Sequence, residues 1–132
     1  MGWAEEVPDP QARATFVGSQ LRWQERTEGE HARMLQWYRE LIALRRAHAE
    51  LGAGDLAATG VEVLCEDAVL MRRGELAVLA HRGPGALAAA YGSALRAEEV
   101  LGSFGPLRHG QDGGVHLDGA GAAVLRGARL SG

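Results

Sequence analysis

A chain of 132 residues, 46% hydrophobic and 23% charged, is the size of one ordinary domain and can bury a real core. Its net charge of -3 is spread along the chain without the basic stripe that a nucleic-acid footprint requires, so nucleic acid is not an expected partner. All 14 cationic side chains are arginine because the sequence has no lysine, which excludes Schiff-base chemistry and lysine-dependent phosphate loops.

Gly2 to Gln24 is expected to be irregular, since Pro8 and Pro10 fix two φ angles, bias Val7 and Asp9 toward extended backbone and leave no helical or alternating period. Thr27-Glu28-Gly29-Glu30 matches a capping box, in which the Thr27 hydroxyl and the Glu30 carboxylate satisfy first-turn amides reciprocally. A helix is predicted from there. Met34, Trp37, Tyr38, Leu41 and Ile42 recur on one helical face, and Leu35 and Leu44 widen it into a stripe that needs a large cover. Glu28 and Glu30 suit the positive end of the helix dipole, and Arg45, Arg46 and His48 the negative end, before Gly52 and Gly54 stop the run.

From Gly60 onward the pattern changes. Val61–Cys65, Val69–Arg72 and Leu76–Ala80 are short apolar runs separated by Glu66-Asp67 and Arg73-Gly74-Glu75, and they predict antiparallel hairpins. Gly114–Leu117 and Ala122–Arg126 follow glycine-rich turn material and predict two more strands. Ala86 to Leu101 reads as helix by propensity and as strand by its neighbours, with strand preferred. The fold class is therefore α+β: an N-terminal loop, one long amphipathic helix, then antiparallel strands.

Several groups invite chemistry and have plainer explanations. Cys65 stands alone, excluding an intrachain disulfide, and reads as a buried thiol. His109, Asp112 and His116 match no strong metal-ligand spacing, so no metal is expected. Gly83-Pro84-Gly85-Ala86-Leu87-Ala88 fits a relaxed dinucleotide fingerprint but lacks the acidic residue about 20 positions on, and reads as a hairpin turn with no cofactor. Glu5-Glu6 and Glu98-Glu99 are sequence neighbours that cannot face each other across a substrate. Trp23 and Trp37 read as core, and Phe16 as a ring able to stack on a sugar. No apolar run approaches the ~18 residues that span a bilayer, so a soluble, cytoplasmic chain is expected.

Gly2-Trp3, Val7-Pro8-Asp9-Pro10-Gln11, Thr15-Phe16, Ser19, Leu21 and Trp23 resemble the signature of malto-oligosyltrehalose trehalohydrolases, glycoside hydrolases of the α-amylase family. His31–Leu35 and Tyr38–Arg46 resemble the last helix of that family's catalytic barrel. Departures are Gln20, where the family usually has lysine, and His81-Arg82-Gly83 in place of an asparagine-containing turn.

The resemblance implies a division into residues 1–54, the last loop and helix of the β/α barrel, and residues 55–132, a small antiparallel β-sandwich accessory domain. It also implies a retaining mechanism with two carboxylates ~5 Å apart. The family's nucleophile and general acid lie upstream of every residue here, so no catalytic residue is assigned. Asp9, Gln11 and Phe16, on the loop facing the family's active site, are the implied substrate contacts for a maltooligosaccharide. A separate catalytic barrel chain, or self-association through the helix face, is the expected partner. The alternative is a free-standing module binding glucan or a protein. After residue 50 only Tyr91 and Phe104 are aromatic, which favours an accessory structural role over glucan stacking.

Overall fold

The computed structural model describes residues 9–87 and 94–131. The chain forms two compact units, one ending at Leu35 and one starting at Gln36. The long helix α2 (Gly29–Ala47) contributes its opening turns to the first and the rest to the second.

The first unit departs from the expectation of irregular chain. It contains a short helix, α1 (Arg13–Gly18), and a 3-10 turn (Trp23–Thr27). Ala12, Arg13 and Ala14 are good helix formers placed just after Pro10, whose fixed φ suits a helix entry. Six residues are too few to display a period. The capping box does not form. Thr27 closes the 3-10 turn and its hydroxyl donates back to the Gln24 carbonyl at 2.9 Å, while Glu30 takes the Arg33 guanidinium. The Glu28 carbonyl instead accepts the first helical bond, from the Ala32 amide at 3.1 Å.

In the second unit α2 ends at Ala47, because His48 adopts extended backbone (φ -121°, ψ 110°), and a four-residue helix, α3 (Ala49–Gly52), follows. Among the described residues nine strands come next: β1 (Thr59–Cys65), β2 (Ala68–Arg73), β3 (Leu76–His81), β4 (Ala94–Arg96), β5 (Glu99–Phe104), β6 (Leu107–His109), β7 (Val115–Leu117), β8 (Gly121–Arg126) and β9 (Arg129–Ser131). Five of them form an antiparallel sheet in the order β1-β2-β3-β8-β5, and β4-β9 and β6-β7 form two short ladders. An isolated bridge, Arg96 to Gly114, links the two ladders.

The five predicted strands are present with small boundary shifts. β6 and β9 were not anticipated, since three residues cannot show alternation. Strand formation over Ala94–Arg96 and Glu99–Phe104 settles the ambiguous stretch for those residues; residues 88–93 lie outside the described ones, as does Ala88 of the glycine motif.

One face of the large sheet supplies Ala68, Leu70, Ala77, Leu79, Ala123 and Leu125 to the main core, and the opposing segments supply Leu87, Leu95, Ala97, Val115, Leu117 and Ala128. Period-two alternation puts these residues on one side. Leu70, Leu79 and Leu125 face each other in register across β2, β3 and β8, or through Ala123 and Ala77 one step away. Fully burying each leucine contributes roughly 1.5–3 kcal/mol.

The helix uses a second, smaller contact. Trp37, 9% exposed, stacks on Phe104 with ring centroids 5.8 Å apart. Gly102 leaves room for it: a Cβ there would lie 3.1 Å from Leu44 Cδ1 and 3.4 Å from Trp37 Cζ3. This packing explains why residues 36–47 form one compact unit with the strands. Among the described residues no helix is long and apolar enough to cross a membrane.

Candidate functional site

The loop expected to meet sugar is built around Asp9. Its carboxylate Oδ1 accepts the Gln11 amide at 2.9 Å, and its carbonyl accepts the Thr15 hydroxyl at 2.7 Å and the Ala12 amide at 3.1 Å. This is an Asx-type turn that fixes the entry to α1. Ser19 closes the other end, its hydroxyl donating to the Thr15 carbonyl at 2.7 Å. Asp9, Gln11 and Phe16 thus lie on one turn-helix segment, all exposed, with Phe16 66% open to solvent.

Neither α1 nor the 3-10 turn contains a buried residue. Val17, Leu21 and Trp23 are each more than half exposed. Trp23 therefore departs from the core role expected of it, carrying instead the Arg26 guanidinium 6.0 Å from its ring centroid, a modest cation–π contact. Trp37 is core as expected. The exposed Phe16, Val17, Leu21 and Trp23, on the two short helical turns and the link between them, have nothing within the described part of this unit to hold them.

In the second unit six carboxylates meet arginine. Glu62, Asp67, Glu98, Glu99, Asp112 and Asp118 pair with Arg72, Arg82, Arg129, Arg126, Arg96 and Arg108 at 2.5–3.4 Å. Such exposed pairs add little to stability, because water screens them and ordering two long side chains opposes them. A glycosidase acid has to be held protonated near neutrality by its surroundings. Asp112 goes the other way: the Gly114 amide hydrogen bond holds its carboxyl below the usual 3.8. Arg96 adds to that effect and partial desolvation opposes it.

Asp112 and His109 serve the turn between β6 and β7. Asp112 Oδ1 accepts the Gly114 amide at 3.1 Å, and His109 Nε2 lies 3.0 Å from the Ala97 carbonyl. Among the described residues no group of three or more histidine, cysteine or acidic side chains is placed to hold a metal ion. The glycine motif follows a strand that is antiparallel to both neighbours, unlike the parallel unit a dinucleotide fold requires. Gly83 is needed for space, since a Cβ there would come 2.8 Å from Nε2 of the buried His81. Cys65 is a free, half-buried thiol rather than a fully buried one.

The sequence reading missed the outer side of α2. Tyr38 and Ile42 are 59% and 49% exposed, although both were assigned to the stripe that Trp37 and Leu44 bury. Helix geometry accounts for this, because Tyr38 and Ile42 lie about 100° or more around the axis from Trp37.

Comparison with known proteins gives a consistent answer. Over 130 residues, 96% of this chain, it is 40% identical to the malto-oligosyltrehalose trehalohydrolase of Arthrobacter ramosus. The chain is homologous to malto-oligosyltrehalose trehalohydrolases. The enzyme of that name from Mycobacterium tuberculosis (strain CDC 1551 / Oshkosh) is 42% identical over 89 residues, 62% of this chain. That from Rhizobium sp. (strain M-11) is 51% identical over 63 residues, 47% of this chain. The matched segments make up 20%, 14% and 11% of those trehalohydrolases, so this chain spans about one fifth of the length of a relative that it matches almost end to end. No family model matches the chain, and no solved structure gives a significant match.

Proposed function

We propose that this chain is an accessory, non-catalytic part of a malto-oligosyltrehalose trehalohydrolase, the glycosidase that releases trehalose from maltooligosyl-trehalose. In this reading residues 1–54 are the closing loop and helix of the catalytic β/α barrel, and residues 55–132 are a β-sandwich that buttresses it. The observation that carries it is the 40% identity over 96% of the chain to a trehalohydrolase of which this is one fifth. The first unit supports it independently: α1 and the 3-10 turn bury nothing, and their apolar side chains call for a cover that the described part of that unit does not supply.

The chemistry would lie on the remaining four-fifths. Cleavage with retention takes two opposed carboxylates about 5 Å apart on a rigid scaffold, and six carboxylates of the second unit are tied to arginines in separate pairs. Asp9, Gln11 and Phe16 would border the sugar site: Asp9 shaping the loop, Gln11 offering its amide to a hydroxyl and Phe16 its open face to a ring. A cytoplasmic location fits this reading, since Cys65 is a free thiol. The test uses the Arthrobacter ramosus enzyme shortened by the segment that aligns with this chain, with and without this chain co-expressed. Trehalose release is expected only when both are present, and equal activity with and without it would contradict the proposal.

A further inference from the structure

Glu98 and the pair His109 and Asp112, unrelated in the sequence, meet at one cavity of about 440 Å3 in the second unit. It lies where β4, β6 and β9 end or begin, and Arg96, Gln111 and Arg129 complete its polar wall. Its volume falls in the range of small-molecule sites, roughly 300–1,000 Å3.

The backbone seats both carboxylates. Asp112 Oδ1 accepts the Gly114 amide at 3.1 Å, and a Cβ on Gly110 would lie 2.5 Å from that oxygen. Gly127, at φ 62°, does the same for Glu98, whose carboxyl carbon would lie 2.5 Å from a Cβ there. Each carboxylate has a guanidinium beside it. Arg96 donates to the Asp112 carbonyl at 2.7 Å and stands 3.4 Å from Asp112 Oδ2, while Arg129 stands 3.2 Å from Glu98 Oε1. His109 Nε2 donates to the Ala97 carbonyl at 3.0 Å, so in the neutral ring Nδ1 carries the lone pair. Gln111 is exposed, and its amide makes no hydrogen bond with the described residues.

The wall selects its ligand by elimination. Two guanidiniums and two carboxylates balance, so an anion meets the carboxylates and a cation meets the guanidiniums. Among the described residues no group of three acidic, histidine or cysteine side chains is placed for a metal. Ala97 is the one apolar side chain in the wall, which gives an apolar ligand little to cover. What remains is a neutral molecule dense in hydrogen-bonding groups. A carboxylate and a guanidinium side by side offer an acceptor and a fork of donors. Two adjacent hydroxyls, each able to donate and to accept at one atom, match that pair better than an amide, which separates the two functions.

We infer that this cavity binds a glycosyl unit, the Arg96–Asp112 and Arg129–Glu98 pairs each holding two adjacent hydroxyls and His109 Nδ1 accepting a further one. The inference goes beyond the accessory-part reading and takes from it only the choice of probe sugars. Exposed hydrogen bonds of modest net worth set the affinity at the millimolar level.

The experiment titrates the 15N-labelled 132-residue chain with maltotetraose, trehalose and cellotetraose, and separately with inorganic phosphate, following backbone amides and the His109 ring nitrogens by NMR. At least one sugar is expected to shift the amides of residues 96–98 and 109–113 together with His109 Nδ1, a response that a merely structural histidine would not give. E98A/R129A is expected to weaken binding about tenfold or more. Q111A removes an amide with no role in the fold and should weaken it about threefold, as loss of one hydrogen bond does, so the inference is tested even if the double variant unfolds.

No shift with any of the three sugars would overturn the inference. So would sugar shifts confined to the Asp9–Phe16 segment, which would assign sugar contact to the loop alone, and so would binding that neither variant weakens. Phosphate moving these resonances while the sugars leave them in place would make the cavity an anion site and overturn it as well.

Discussion

Replacing Trp37 with alanine removes the one fully covered side chain by which α2 holds the strands of the second unit. Trp37 is 9% exposed and lies over Phe104 at 5.8 Å between centroids, the planes 30° apart. Truncating a buried tryptophan to alanine costs about 3–5 kcal/mol. The lower half of that range is expected, because the site lies on the α2 side of the sheet, away from the leucine core, and can relax toward solvent. Of this, the ring-on-ring term is about 0.5–1.5 kcal/mol, readable as the coupling in a cycle of W37A, F104L and the double change. The assay is urea unfolding followed at 222 nm. A W37A cost below ~1 kcal/mol with additive single changes would refute the docking of α2 on β5 through this ring.

Other outcomes follow from the same packing. Leu79→Ala, at a fully buried position in the middle of β3, should cost about 2–5 kcal/mol in the same unfolding assay. Gly102→Val would drive a side chain into Leu44 and Trp37, where even a Cβ lies 3.1 and 3.4 Å away, and should cost about 1–3 kcal/mol as overpacking. Gly105→Ala should be worse than its size suggests: φ is 101° and a Cβ would sit 2.6 Å from the Ala120 carbonyl oxygen, a backbone clash at a conformation that L residues avoid. Asp112 has a carboxyl held below its ordinary 3.8, so its contribution is full above that value and is lost as pH falls through the lower folded value. Acid titrations of wild type and D112N should therefore differ above about pH 4 and converge below it; a gap that widens in acid would reverse the assignment.

The strands were legible because Val61–Cys65, Val69–Arg72 and Leu76–Ala80 are short apolar runs bounded by turn residues, and Gly74 marks its turn by taking φ 58°. The helix was legible as an element but not as a contact. Its apolar residues span more than one face, and only packing on Gly102 and Phe104 selects Trp37 and Leu44 over Tyr38 and Ile42. Thr27 shows why a motif is not a cap: its hydroxyl found a partner in the Gln24 carbonyl three residues back, a competition that local sequence cannot decide. At the loop, α1 was hidden by the two prolines before it.

The most direct measurement is trehalose release from maltooligosyl-trehalose by the purified 132-residue chain alone, at concentrations where even feeble turnover accumulates product. The account predicts none above the substrate's spontaneous hydrolysis. Steady release that scales with the amount of chain would place the reacting acids on this polypeptide and contradict it.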